Sequence, residues 1–170
     1  DGSLTITDTS EDQNGKITGG NNIGDGGGFY VEGGNLYLKG GSICGNKAIE
    51  YGGGIYITEA KLVLDGGSIS NNSAERGGGG IFVYENGEVT IENGDISNNF
   101  ANWGGGGVRG ESNAVVYMKG GSVADNKSDG SGGGFFFYYT GNASMYLTGG
   151  SILRNQSTAG GGIYWASLGA

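Results

Sequence analysis

Tyr30, Tyr56, Phe82, Arg109, Phe136 and Tyr164 recur at intervals of 26, 26, 27, 27 and 28 residues. Five aromatic rings and a guanidinium at one repeating position could stack on sugar rings or on an extended polymer, with Arg109 as a hydrogen-bonding interruption. The same column has a purely structural use, because aromatic residues favour strands and stack on one another without any ligand. A sparser set, Tyr37, Tyr117 and Tyr146, repeats in a similar way but is broken by Val63 and Thr90.

Acidic residues form the next candidates. Glu32, Glu59, Glu85 and Glu111 follow the aromatic positions at nearly equivalent offsets. A stack of like charges repels unless it is solvated or bridged by a cation such as Ca²⁺. Solvation is the simpler arrangement, since exposed charges interact weakly in water. The stretch from Asp8 to Gly15 has oxygen side chains at alternate positions, but it lacks the bidentate Glu that closes a calcium loop and reads as a solvated turn.

Catalysis on polysaccharides needs paired carboxylates, or carboxylate-bound calcium beside a base, gathered on one face. Asp125 and Arg154 are the best acid and base available; they form a single pair with no third partner, and charge pairing between adjacent strands accounts for them. The chain has no His, and its one cysteine, Cys44, has no internal disulfide partner. Zinc sites built on thiols and imidazoles are thereby excluded, and no cofactor or metal is expected. Glycine runs such as Gly77 to Gly80 are not followed by Gly-Lys-Ser/Thr, so they are not phosphate cradles. Of the sequons at Asn71, Asn126, Asn142 and Asn155, Asn126 and Asn155 fall in a recurrent Asn column expected to be packed into turns.

The elements that must position these residues come from a repeat. Glycine triplets open at Gly26, Gly52, Gly78, Gly105, Gly132 and Gly160. In step with them, an aliphatic residue is followed three positions later by Asn: Ile43 and Asn46, Ile69 and Asn72, Ile96 and Asn99, Val123 and Asn126, Ile152 and Asn155. Each unit holds short runs with strand periodicity, too brief for a helix and bounded by Gly, Asn or Ser. The first run follows the triplet, as in Ile55-Tyr56-Ile57. The second is typified by Leu62-Val63-Leu64, and the third is the aliphatic position before the Asn.

Three strands per unit, closed by glycine turns, describe one coil of a solenoid. The predicted fold is all-β: a three-sided parallel β-helix of six coils of 26 to 29 residues, with identical positions stacked in columns about 4.8 Å apart. Residues 1–25 make a partial first coil with an insertion at 8–15, residues 26–159 make five repeats, and residues 160–170 begin a last coil. A single segment excised from a longer array would have this outline. Alternation sends Phe29, Ile55, Ile81, Val108, Phe135 and Ile163 inward, with Leu36, Leu62, Val89, Val116 and Met145. Cys44 then occupies the position of Ser70, Ser97, Ala124 and Leu153. Gly110 falls at an inward position that is large elsewhere, so a pinch or bulge is expected near Arg109.

The balance of charge narrows the partners. A net charge of −8 and a pI near 4.3 argue against nucleic acid and anionic membranes. No apolar run is long enough for a membrane-spanning helix. Despite 42 glycines, 35% hydrophobic and 11% aromatic residues supply enough apolar surface for a packed interior.

The triplet-aliphatic sequence and the aliphatic-x-x-Asn motif resemble the repeats of chlamydial polymorphic outer-membrane proteins. They look still more like the glycine-rich arrays of large surface proteins of Gram-positive gut bacteria. The resemblance covers nearly the whole chain and implies a right-handed β-helix in an adhesin-like, cell-surface or secreted bacterial protein. It supplies no catalytic residues. Two readings therefore stand: a non-catalytic surface segment binding polysaccharide or host glycoprotein through Tyr30, Tyr56, Phe82, Arg109, Phe136 and Tyr164, or a structural spacer. Uncapped ends would favour end-to-end self-association.

Overall fold

The computed structural model describes residues 2–12, 14–138 and 141–166. The chain is all-β and winds as a parallel β-solenoid of about five turns around three sheets. The six predicted coils correspond to six rungs on two faces, whereas the third face has five strands.

The first face stacks Phe29–Glu32, Ile55–Thr58, Ile81–Tyr84, Val108–Gly110, Phe135–Phe137 and Ile163–Trp165, every pair parallel. The register holds each column expected from the repeat, placing Phe29 beside Ile55 and Tyr56 beside Phe82. On the second face, Ser3–Ile6, Asn35–Leu38, Val115–Met118 and Ser144–Leu147 stack on the two long strands Lys61–Ser70 and Glu88–Ser97.

Those long strands correct the expected division of the coil. The second and third runs belong to one sheet, joined continuously through Asp65 and through Asn93, where the register shifts. The third sheet is formed instead by the two-residue strands after the Asn: Asn21–Asn22, Lys47–Ala48, Ser73–Ala74, Phe100–Ala101 and Lys127–Ser128. Its inward residues, Ala48, Ala74, Ala101 and Ser128, are all buried. Such small residues leave no apolar run in the sequence, which is why this face was not visible there.

The core follows the columns. Ile55, Ile81, Val108 and Phe135 are fully buried, as are Leu62, Val89 and Val116, and so are Ile43, Ile69, Ile96 and Val123. Each such side chain contributes about 1.5–3 kcal/mol by leaving water. At the two ends the columns run out, and Leu4, Leu147, Ile163 and Trp165 are exposed.

Two devices bend the strands into coils. Gly52 has φ +67°, and a Cβ there would lie 2.5 Å from the carbonyl oxygen of Ile55, so the corner admits only glycine. The second device is an asparagine ladder. The backbone N–H and Nδ2 of Asn72 both donate to Oδ1 of Asn99, each at 3.0 Å, while Nδ2 also donates to the carbonyl of Ile43 at 2.9 Å. Asn46, Asn99 and Asn126 repeat the pattern. Each Asn thus joins three successive coils, and in the first coil Gly20 takes the corresponding place, donating its N–H to Asn46 Oδ1 at 3.0 Å. Just before the ladder, Gly45, Asn71, Asn98, Asp125 and Arg154 form a column of left-handed residues with φ between 50° and 65°.

Candidate functional site: the aromatic column of the first face

Pairing along the first face brings the predicted set into one line, Tyr30 to Tyr56 to Phe82 to Arg109 to Phe136 to Tyr164. Tyr30 and Tyr56 stack with centroids 4.9 Å apart and planes 5° apart; Phe136 and Tyr164 stack at 5.3 Å and 6°. Tyr56 and Phe82 continue the series at 5.3 Å.

The column is not the open ladder that a ligand-binding reading requires. Tyr30 is 53% exposed, but Tyr56 is 7%, Phe82 2% and Arg109 8% exposed, and Phe136 is buried as well. Neighbouring rings cover it: Tyr51 lies 4.4 Å from Phe82, and Tyr84 lies 5.9 Å from Phe82 and 6.4 Å from Tyr56. Glycines make the room. A Cβ on Gly77 would lie 2.6 Å from Cδ of Arg109, and one on Gly104 would lie 3.0 Å from the Phe136 ring. Side chains that leave the sheet outward therefore fold flat over a bare corner and lose their solvent.

Arg109 is held in this packed layer as a paired cation. Its Nε and Nη2 donate to Glu111 Oε1 at 2.8 and 2.5 Å, and Nη1 reaches the carbonyl of Arg76 at 3.4 Å. Its guanidinium carbon stands 4.7 Å from the centroid of Phe136, 5.3 Å from Tyr51 and 5.9 Å from Phe82. Every charge-bearing edge is thus used within the chain. Tyr51, Tyr84 and Arg76 complete the cluster and were not singled out from sequence, since they do not recur from coil to coil. The one available signal was Tyr51, a ring preceding a glycine triplet where Gly77 and Gly104 stand in the next two coils.

Burial also sets the ionisation of the layer. Loss of solvent pushes the Tyr56 phenol well above its ordinary range, with the nearby Asp25 carboxylate acting in the same direction. Asp25 is itself raised by burial, an effect partly offset because its Oδ1 accepts the Tyr51 N–H at 3.0 Å.

The glutamates do not form one stack. Glu32 lies in register with Thr58, and Thr58 with Tyr84. Glu59 and Glu85 are successive, linked by a backbone bond from Glu59 N–H to the Glu85 carbonyl at 3.0 Å, and both are exposed. Glu111 belongs with Arg109. Glu32 and Glu111 follow the aromatic column by two residues and Glu59 and Glu85 by three, and that single residue places the two pairs at different points of the coil. Among the described residues no three His, Cys, Asp or Glu side chains converge as a metal site.

Other predicted features have simple placements. Asp8 closes its own insertion, accepting from the N–H and Oγ of Ser10 at 3.0 and 2.5 Å and from Gly15 N–H at 2.7 Å. These bonds hold its carboxyl below the usual range; Gln13 lies outside the described residues. Arg154 grips Asp125 with two bonds of 2.7 and 2.6 Å, an exposed pair between adjacent coils. Cys44 stands in register with Thr18 and Ser70. No bulge forms at Gly110. The pairing from Val108 to Gly110 is continuous with both neighbouring strands, because the Phe137 ring occupies the space, within 2.8 Å of where a Gly110 Cβ would be.

Fold and site together define a three-sided parallel β-solenoid repeat protein whose outer aromatic column is sealed by its own side chains. No protein-family model, curated protein or solved structure matches the chain.

Proposed function

We propose that this chain is a non-catalytic, rigid spacer segment of a bacterial cell-surface or secreted protein of adhesin-like architecture. The observation that carries the reading is the closure of the aromatic column. Rings at rung spacing with Arg109 among them suit a ligand only when their faces are free, and here Phe82, Arg109 and Phe136 are buried against one another and against Tyr51 and Tyr84. The column acts as a stiffening layer outside the core. With the asparagine ladder inside, it ties coils together on two sides of the wall. The placement at a cell surface rests on the resemblance of the repeats.

Single-molecule stretching between the two termini tests this. A spacer keeps constant length until a sharp unfolding event. Gradual lengthening at forces well below that event would sink the proposal.

A further inference from the structure

Outside the packed column and the two end coils, one aromatic residue among those described stands out in water. Trp103 is 64% exposed, on the corner between the third and first faces. The equivalent corner position carries Glu50 and Arg76 in the two preceding coils and Gly130 in the next, so the coil itself does not require an indole there. One side of the ring is supported: the Arg76 guanidinium carbon lies 5.8 Å from its centroid, and Arg76 is fixed by Glu50 Oε2 at 2.7 Å. Toward the next coil no side chain can cover it from Gly130, where a Cβ would lie 1.9 Å from the Trp103 carbonyl oxygen.

One residue before Trp103, Asn102 borders a hollow of about 170 Å³ on the third face, together with Lys47, Ser73, Glu75 and Phe100. That is below the roughly 300–1,000 Å³ of sites for drug-sized ligands and suits a single ring. Phe100 is half-buried, with the Lys127 ammonium 5.5 Å from its centroid. Lys47 and Glu75 pair at 3.1 Å across the hollow while each remains about half exposed, and Asn102 adds an exposed amide.

We propose that this hollow and Trp103 together bind a neutral polysaccharide, one pyranose lying over Phe100 and a neighbouring one against the indole. A sugar ring offers an apolar C–H face to an aromatic plane. Its hydroxyls both donate and accept, matching a carboxylate, an ammonium and an amide set side by side. The cations here are paired, Lys47 with Glu75 and Lys127 with Asp129, so no local field selects a charged ligand. The overall charge of −8 repels acidic polymers. A protein partner is less suited, because one indole framed by ion pairs falls short of the roughly 1,200 Å² that stable protein interfaces bury. The inference is independent of the spacer reading: a rod can carry a contact site.

The test is affinity electrophoresis of the full chain in gels containing galactomannan, arabinoxylan or xyloglucan, with polygalacturonate as the acidic control. Binding is read in parallel from indole emission in a Trp165→Phe background, where Trp103 is the only tryptophan. Retardation by at least one neutral polymer is expected, with a shift in Trp103 emission. Trp103→Ala and Phe100→Ala should each weaken binding by about tenfold or more, with melting temperatures close to the parent for Trp103→Ala, and Tyr146→Ala should bind normally. Failure of all three neutral polymers to retard the chain overturns the proposal. So does retardation that survives both substitutions, or equal retardation by polygalacturonate that disappears in salt.

Discussion

Phe82 and Tyr56 leave the sheet on its outer side, yet they are packed as interior residues are. Truncating them should therefore act on stability first. Phe82→Ala is expected to cost about 3–5 kcal/mol, in the range for buried aromatic residues, and to lower the denaturant midpoint measured by far-UV circular dichroism. A midpoint unchanged within error would show that the outer layer contributes nothing. Ionisation gives a second handle on the same layer. In the unfolded chain a tyrosine ionises near pH 10, whereas burial holds the Tyr56 phenol protonated to higher pH. The unfolded state thus releases its proton first, so stability is full below about pH 10 and declines above it. Tyr56→Phe should flatten that decline in alkaline unfolding curves. Gly110 is a third case at this scale: its partner is the Phe137 ring, and Gly110→Ala should cost about 1–3 kcal/mol by overpacking, measured by thermal melting.

Strands and ladders are the next scale. A two-residue strand such as Ser73–Ala74 has too few bonds to define a face by itself, and the adjoining asparagine ladder supplies what it lacks. Asn99 accepts from the N–H and Nδ2 of Asn72 and donates to Ile69 and Asn126. Asn99→Ala takes the side-chain partner from the Asn72 N–H and the Ile69 carbonyl, at about 1–3 kcal/mol for each one left buried and unpaired, while Asn72 Nδ2 keeps the Ile43 carbonyl and Asn126 Oδ1 keeps the N–H of residue 99. Asn99→Asp should be no better, because a carboxylate keeps the two acceptor contacts but replaces both donations with a buried charge. Amide hydrogen exchange at Asn72 separates the two: its protection should collapse in Asn99→Ala, where the acceptor is gone, and persist in Asn99→Asp, whose cost appears as a lower denaturant midpoint. The left-handed column before the ladder behaves differently, since Asn71 and Asp125 are exposed and their side chains are free of the core.

Over the whole molecule, main-chain pairing joins only adjacent coils, with the Arg109 contact to Tyr51 reaching one coil further, so stability is close to a sum of coil and interface contributions. Central coils have two neighbours and the end coils of this chain have one. Leu62 is fully buried in the middle of its column, whereas Met145 at the end is only partly buried. Leu62→Ala should therefore cost about 2–5 kcal/mol, and Met145→Ala clearly less, in equilibrium unfolding. Equal losses would mean that the coils do not behave as stacked units.

How far the sequence went differs between columns. Inward positions on the first two faces were legible because parallel pairing repeats one side-chain pattern at a fixed spacing, and large apolar residues mark it: Ile55, Ile81 and Val108 on one face, Leu62, Val89 and Val116 on another. The Asn column was legible for the same reason. The third face was not, since Ala48, Ala74 and Ala101 fill a narrow wall that needs no bulk. Outward direction was also correct for Tyr56, Phe82 and Arg109, but direction is a property of the backbone and exposure is not. Exposure depends on what lies across the corner, here Tyr51 and the vacant positions of Gly77 and Gly104, residues 31 or 32 positions away in sequence from Phe82, Arg109 and Phe136 respectively. Periodicity along the chain thus determined which residues stack, and only the tertiary packing of side chains over a glycine corner decided which of them meet water.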